Sequence, residues 1–172
     1  RNLQPSILRE YDIRGIVNKT FDAADFEAIA RGFATEARTR LGGKAPTICV
    51  GYDGRLSSPE LEAAVVKGLS ESGAHVVRIG LGPTPMLYYA TYAIRSDAGM
   101  MVTGSHNPSD QNGLKMVLQG NSFFGADIQA LGRRVAEGQF IAGEGSVRDE
   151  PVLERYVERI VSDAKGGKNL SV

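Results

Sequence analysis

The sequence predicts a layered α/β/α domain built on a mixed, mostly parallel sheet. Short apolar runs of strand length alternate with segments of helical periodicity, and turns rich in glycine, proline and aspartate separate them. Size agrees: 172 residues, 42% hydrophobic and 23% charged, suit one domain with a substantial core. Residues 1–150 read as that domain, and 151–172 as a linker helix with the start of a following domain.

The elements follow in order. Asp22 to Leu41 sets Phe26, Ile29, Ala30, Phe33, Ala37 and Leu41 at helical spacing, with Asp22 as cap and Gly42-Gly43 as stop. Thr47–Gly51 is a short buried strand. Ser58-Pro59-Glu60 opens a second helix with a capping serine, proline at the first helical position and an early acid; Leu61, Val65 and Leu69 form its stripe. His75–Ile79 is the next strand, and Gly80–Pro85 turns into a helix through Met86, Tyr89 and Ala93. Ala98–Thr103 and Leu114–Leu118 are further strands. Ile128, Leu131 and Val135 mark another helix, Gly143–Glu150 reads as a connector, and Val152, Tyr156 and Ile160 mark a last helix. Cys49 and His75 fall in apolar runs and are expected in the core.

Lysine plus arginine, 20, balances aspartate plus glutamate, 20, so no basic excess points to nucleic acid or an anionic membrane surface. One cysteine cannot form an internal disulfide, which suits a reducing, cytoplasmic setting; no apolar run approaches membrane-spanning length. The chain starts with arginine, and KGGKNLSV at its end resembles the opening of a new strand, as expected of a piece of a longer protein.

Ligands in such sheets bind beyond the carboxyl ends of the strands. Three loops fall there: Tyr52–Ser58, Gly80–Pro85 and Gly104–Gly113, with a polar cluster, Tyr11-Asp12-Ile13-Arg14-Gly15, nearer the start. Taken singly, each is as well explained as an ordinary turn. A serine-hydrolase elbow is excluded, because Thr103 and Asn107 stand where it needs glycines around Ser105. No Gly-x-x-x-x-Gly-Lys-Ser/Thr loop is present, Gly80-x-Gly82 meets Pro85 where a dinucleotide loop needs glycine, and no cysteine–histidine cluster can hold zinc. The serine loop remains. Gly104 permits a tight turn, Asn107-Pro108 stiffens the exit, and Ser105 is presented among backbone amides, His106 and Lys115. Such donors suit a serine that carries a phosphoryl group.

Thr103-Gly104-Ser105-His106-Asn107-Pro108 resembles the phosphoserine loop of the α-D-phosphohexomutases. The continuation through Asp110, Asn112-Gly113 and Lys115 is most similar to the bacterial phosphomannomutase/phosphoglucomutase branch. Tyr11–Gly15 and Gly51-Tyr52-Asp53-Gly54-Arg55 resemble other signatures of that family's first domain. The resemblance implies the first of four domains and a reversible conversion of hexose 1-phosphate to hexose 6-phosphate through a phosphoserine and a bisphosphate. It further implies Ser105, His106, Lys115 and Arg14 as catalytic residues and Tyr11, Arg14 and Asn107 as substrate contacts. Mg²⁺ would bind through the phosphate on Ser105, with its other ligands beyond this chain, and hexose 1,6-bisphosphate would activate the enzyme. The expected partners are sugar phosphates and the remaining domains, in a monomer, with this stretch inactive by itself. Arg55 reads as half of a structural ion pair. A non-catalytic sugar-phosphate binding relative and a phosphoglucosamine mutase are the alternatives.

Overall fold

The computed structural model describes residues 1–164, so the strand expected at the chain's end lies outside the described residues. The strands are β1 Ile13–Ile16, β2 Thr47–Tyr52, β3 His75–Leu81, β4 Ala98–Val102, β5 Gln111–Leu118, β6 Asn121–Ser122 and β7 Ser146–Asp149. The helices are α1 Ala23–Arg40, α2 Ser58–Ser70, α3 Thr84–Ile94, α4 Ala126–Glu137 and α5 Leu153–Asp163. They form one sheet in the order β1-β5-β4-β2-β3-β7, with β6 paired to β5. Only β5 runs against the others, so the sheet is mixed and mostly parallel, as the alternating pattern predicts.

Right-handed crossovers set the layers. The chain passes from β2 outward to β3 and then back across β2 to β4, so α2 and α3 must cover opposite faces. The larger core joins α1, α2 and α4 to one face through residues such as Phe26, Phe33, Leu69 and Leu131; the smaller joins α3 to the other through Met86, Leu87 and Ala90. Helix α1 begins as its sequence dictates. The Asp22 carboxylate accepts from the Asp25 amide at 2.9 Å, and Asp25 accepts in return from the Asp22 amide at 3.0 Å.

Several local expectations change. The polar cluster near the start overlaps β1, which pairs antiparallel with β5, and β5 itself begins three residues before Leu114. The Gly143–Glu150 connector contains β7, an edge strand whose side chains are all exposed and which is held by backbone pairing to β3. With no buried face, such a strand has no apolar alternation to reveal it. In α3 the fully buried positions are Met86, Leu87 and Ala90, while Tyr89 is half-buried and packs against the smaller core. His75 is also not core: it is exposed at the start of β3, with Nδ1 2.9 Å from the Ser146 hydroxyl of β7. Cys49 is fully buried between β3 and β4, and burial pushes its thiol pKa up to about 11. No helix among the described residues is long and apolar enough to cross a membrane.

Candidate active site

The return of the chain across β2 leaves a switch point between the carboxyl ends of β2 and β4, where the Tyr52–Ser58 and Gly104–Asp110 segments meet. Ser105 stands there, exposed, three residues past the end of β4. Its φ of +50° is left-handed, an uncommon state for a residue with a side chain, and neighbouring bonds hold it there. The Ser105 amide donates to Thr103 Oγ1 at 2.9 Å, and the Gly104 amide to Asp53 Oδ2 at 2.9 Å.

Arg55 holds the rest of the loop. One terminal nitrogen donates to the carbonyls of Pro108 and Gln111 at 2.6 and 3.0 Å, the other to those of Ser105 and Asn107 at 3.1 and 2.7 Å. Its Nε lies 3.4 Å from Asp53 Oδ2. The ion pair expected from the sequence is present, and the guanidinium is committed to main-chain carbonyls. Gly104 makes room for it, since a Cβ there would collide with the Arg55 guanidinium.

Behind the loop runs a polar chain. Ser58 donates to Asp53 Oδ1 at 2.6 Å, and the fully buried Asn112 at the start of β5 donates to Ser57 and Ser58, each at 2.9 Å. Ser58 is therefore not the helix cap: Ser57 occupies that position, without a side-chain capping bond, and Ser58 lies inside α2 with its hydroxyl directed to Asp53. Burial acts to raise the Asp53 carboxyl pKa, but hydrogen bonds from Ser58, from the Arg55 and Gly104 amides and from Thr103 outweigh it and leave the group below its ordinary value.

A second cluster adjoins the first. Arg14 donates to Asn107 Oδ1 at 3.0 Å and pairs with Asp12 at 3.2 Å, and Lys115 Nζ lies 3.3 Å from the same carboxylate. Asp12, Arg14, Asn107 and Lys115 thus form one connected group. His106 Nδ1 is 3.4 Å from Ser105 Oγ, at the long limit of a hydrogen bond. No direct hydrogen bond joins Ser105 Oγ to Arg14 or Lys115 among the described residues. Ser105 and Asn107 line a concavity of about 590 Å³ with Asp53, Arg55 and Ser57; Tyr11 and Lys115 line another of about 300 Å³ with Tyr88 and Phe124. Tyr11 is largely exposed and stacks on Phe124 with ring centroids 6.1 Å apart. A larger hollow of about 810 Å³, beside the C-terminal end of α3 and the amino end of β4, is also bordered by Tyr88 but by none of Tyr11, Arg14, Ser105, His106, Asn107 or Lys115.

Asp12, Asp53 and Asn112 stand within the sequence motifs without a role legible there, and Phe124 stands in none of them. Their partners include residues more than 100 positions away in the chain, Lys115 for Asp12 and Tyr11 for Phe124, and spacing carries no sign of them.

The fold has counterparts among known proteins. The family described as "Phosphoglucomutase/phosphomannomutase, alpha/beta/alpha domain I" matches residues 5–142. A phosphomannomutase/phosphoglucomutase of Pseudomonas putida is 42% identical over 170 residues, 99% of this chain and 36% of that protein. A phosphoglucosamine mutase of Acidothermus cellulolyticus is 36% identical over 168 residues, 92% of this chain and 36% of its own length. The crystal structure of a phosphoglucomutase/phosphomannomutase family protein from Burkholderia thailandensis superposes with a TM-score of 0.88 at 42% identity, covering 96% of this chain and 37% of that one. The chain therefore spans a little over a third of the length of these relatives.

Proposed function

The chain belongs to the phosphoglucomutase/phosphomannomutase family as its α/β/α domain I, and we propose that the protein carrying it interconverts hexose 1-phosphates and 6-phosphates with Ser105 as the phosphoryl carrier. One observation supports this above others. Ser105 is exposed in a left-handed backbone state at a strand's carboxyl end, in a loop held by Arg55 and adjoining Arg14, Asp12 and Lys115. Glucose or mannose phosphate is the proposed substrate, since identity is higher to the P. putida enzyme than to the phosphoglucosamine mutase.

In the forward half-reaction the free hydroxyl oxygen of the sugar phosphate attacks the phosphorus on Ser105. The new O–P bond forms as the Ser105 Oγ–P bond breaks, the sugar hydroxyl gives up its proton, and Oγ takes one. The resulting bisphosphate reorients and returns its other phosphoryl group to Ser105 by the same exchange. Such a transfer depends on in-line positioning and on stabilising charge spread over the phosphoryl oxygens. Arg14 and Lys115 supply positive charge there and assist proton movement, Asn107 fixes Arg14, His106 orients the serine or the sugar hydroxyl, and Tyr11 borders the sugar.

Mg²⁺, when bound, would neutralise phosphoryl charge, and this chain's donor to it would be the phosphate of Ser105. Its remaining ligands are proposed to lie elsewhere in the protein, since a cation of this kind takes several oxygen donors. The 172-residue chain by itself is accordingly proposed to be inactive.

The test is peptide mass spectrometry of the complete protein after incubation with glucose 1,6-bisphosphate. The added phosphate should lie on Ser105, and Ser105→Ala should lower turnover by orders of magnitude while the protein stays folded. Phosphate confined to Ser57, Ser58 or Ser109 refutes the assignment.

A further inference from the structure

We propose that Asp12 is a positioning residue for phosphoryl transfer, the shared counter-ion that fixes both Arg14 and Lys115 and sets the net charge they present. This rests on the phosphoryl-transfer reading above. The Asp12 side chain is only 9% exposed, and its carboxylate meets Arg14 Nη2 at 3.2 and 3.3 Å and Lys115 Nζ at 3.3 Å. The sheet builds this contact. β1 pairs with β5 in the register Ile13↔Leu114 and Arg14↔Gly113. Extending that register by one residue sets Asp12 opposite Lys115, while Asp12 and Arg14, two residues apart, project from the same face.

Two cations this close repel one another unless an anion lies between them. A buried carboxylate with two cationic partners gives the long, flexible Lys115 a fixed direction and holds the second terminal nitrogen of Arg14, whose first is held by Asn107. It also cancels one of their two charges. A dianionic phosphoryl group therefore meets fixed donors with a net single positive charge. That arrangement limits how tightly the ground state is held while leaving both donors aimed where charge develops during transfer. A mutase needs that restraint, because its bisphosphate must let go and turn around between the two half-reactions.

The experiment is steady-state kinetics of the complete protein, with glucose 1-phosphate as substrate and a coupled assay for glucose 6-phosphate. Thermal unfolding of each variant checks the fold. Asp12→Asn should lower kcat at least tenfold with KM unchanged or lower, because the donors lose their aim while the positive charge facing phosphate grows. A kcat within twofold of the unmodified protein, or a loss of rate accompanied by a matching rise in KM, overturns the inference. Should Asp12→Asn fail to fold, Asp12→Glu decides: it keeps the charge but displaces the carboxylate by one methylene. With KM unchanged, a kcat lowered at least threefold supports the positioning role, and an unchanged kcat overturns it. If the unmodified protein shows no mutase activity, the underlying reading fails; if it is active and the Asp12 variants match it, only this inference fails.

Discussion

At Arg55 one guanidinium spans four carbonyls of the serine loop, a task its planar fork suits and a lysine ammonium does not. Arg55→Ala removes these charge-assisted bonds and leaves Asp53 without its cation, while water reaches the exposed carbonyls and offsets part of the loss. The net cost should be about 2–3 kcal/mol in chemical denaturation. Arg55→Lys should recover less than half of it, and both variants should be cleaved faster by protease between Ser105 and Gln111. A lysine variant as stable as the parent would show that the carbonyl contacts contribute nothing. The same clamp holds Ser105 at its left-handed φ: its carbonyl is bound by Arg55 and its amide by Thr103, so bonds on both sides of the residue oppose its leaving that state.

The elements are tied by a small number of specific pairs as well as by apolar burial. Glu62 of α2 is 1% exposed, and Arg78 of β3 grips it bidentately at 2.8 and 2.9 Å. Arg78 also reaches Asp149 of β7 at 3.5 Å, so one side chain links a helix, a central strand and the edge strand that has no buried face of its own. Removing one partner of a buried pair leaves an uncompensated charge. Arg78→Ala should therefore destabilise by about 3 kcal/mol, the low end for such pairs because Arg78 is itself partly exposed. Adding Glu62→Leu should recover most of that loss. If the double variant unfolds no later than Arg78→Ala alone, the penalty does not come from the stranded carboxylate.

Across the whole molecule the single thiol reports the integrity of the sheet. Burial raises the Cys49 pKa from its ordinary 9.0 to about 11, so folding favours the protonated form. The sign follows: below the unfolded value the thiol is neutral in both states and stability is unaffected. As pH rises from about 9 towards 11, the unfolded chain ionises while the folded one keeps its proton, and stability falls by roughly 2–3 kcal/mol. Lysine and tyrosine titrate in the same range, so the measurement is the stability difference from Cys49→Val, by denaturant unfolding at pH 8 and again near pH 10.5. The gap should shift towards the valine variant at the higher pH by about 2 kcal/mol. A gap that does not change with pH would mean that Cys49 is not sealed from water.

The sequence by itself determined the fold class, the run of α1, α2 and α4, and the serine loop as the place to look, because each is written in local chemistry. The Asp22 cap and the Phe26–Phe33–Ala37 stripe of α1 are patterns of one to three turns, and Gly104, Ser105 and Pro108 fall within five residues of one loop. Tertiary structure decided what distant residues do to one another. Asp12 binds a lysine 103 positions away, Arg55 binds carbonyls 50 or more positions away, and β7 pairs at the open edge that β3 offers it. His75 shows the same division: an apolar neighbourhood along the chain suggested the core, yet its place at the first residue of β3 sets it in the open beside Ser146. A residue's periodicity is fixed by the backbone that carries it; its partners are fixed by which strand ends the crossovers bring together, and that is a property of the assembled sheet.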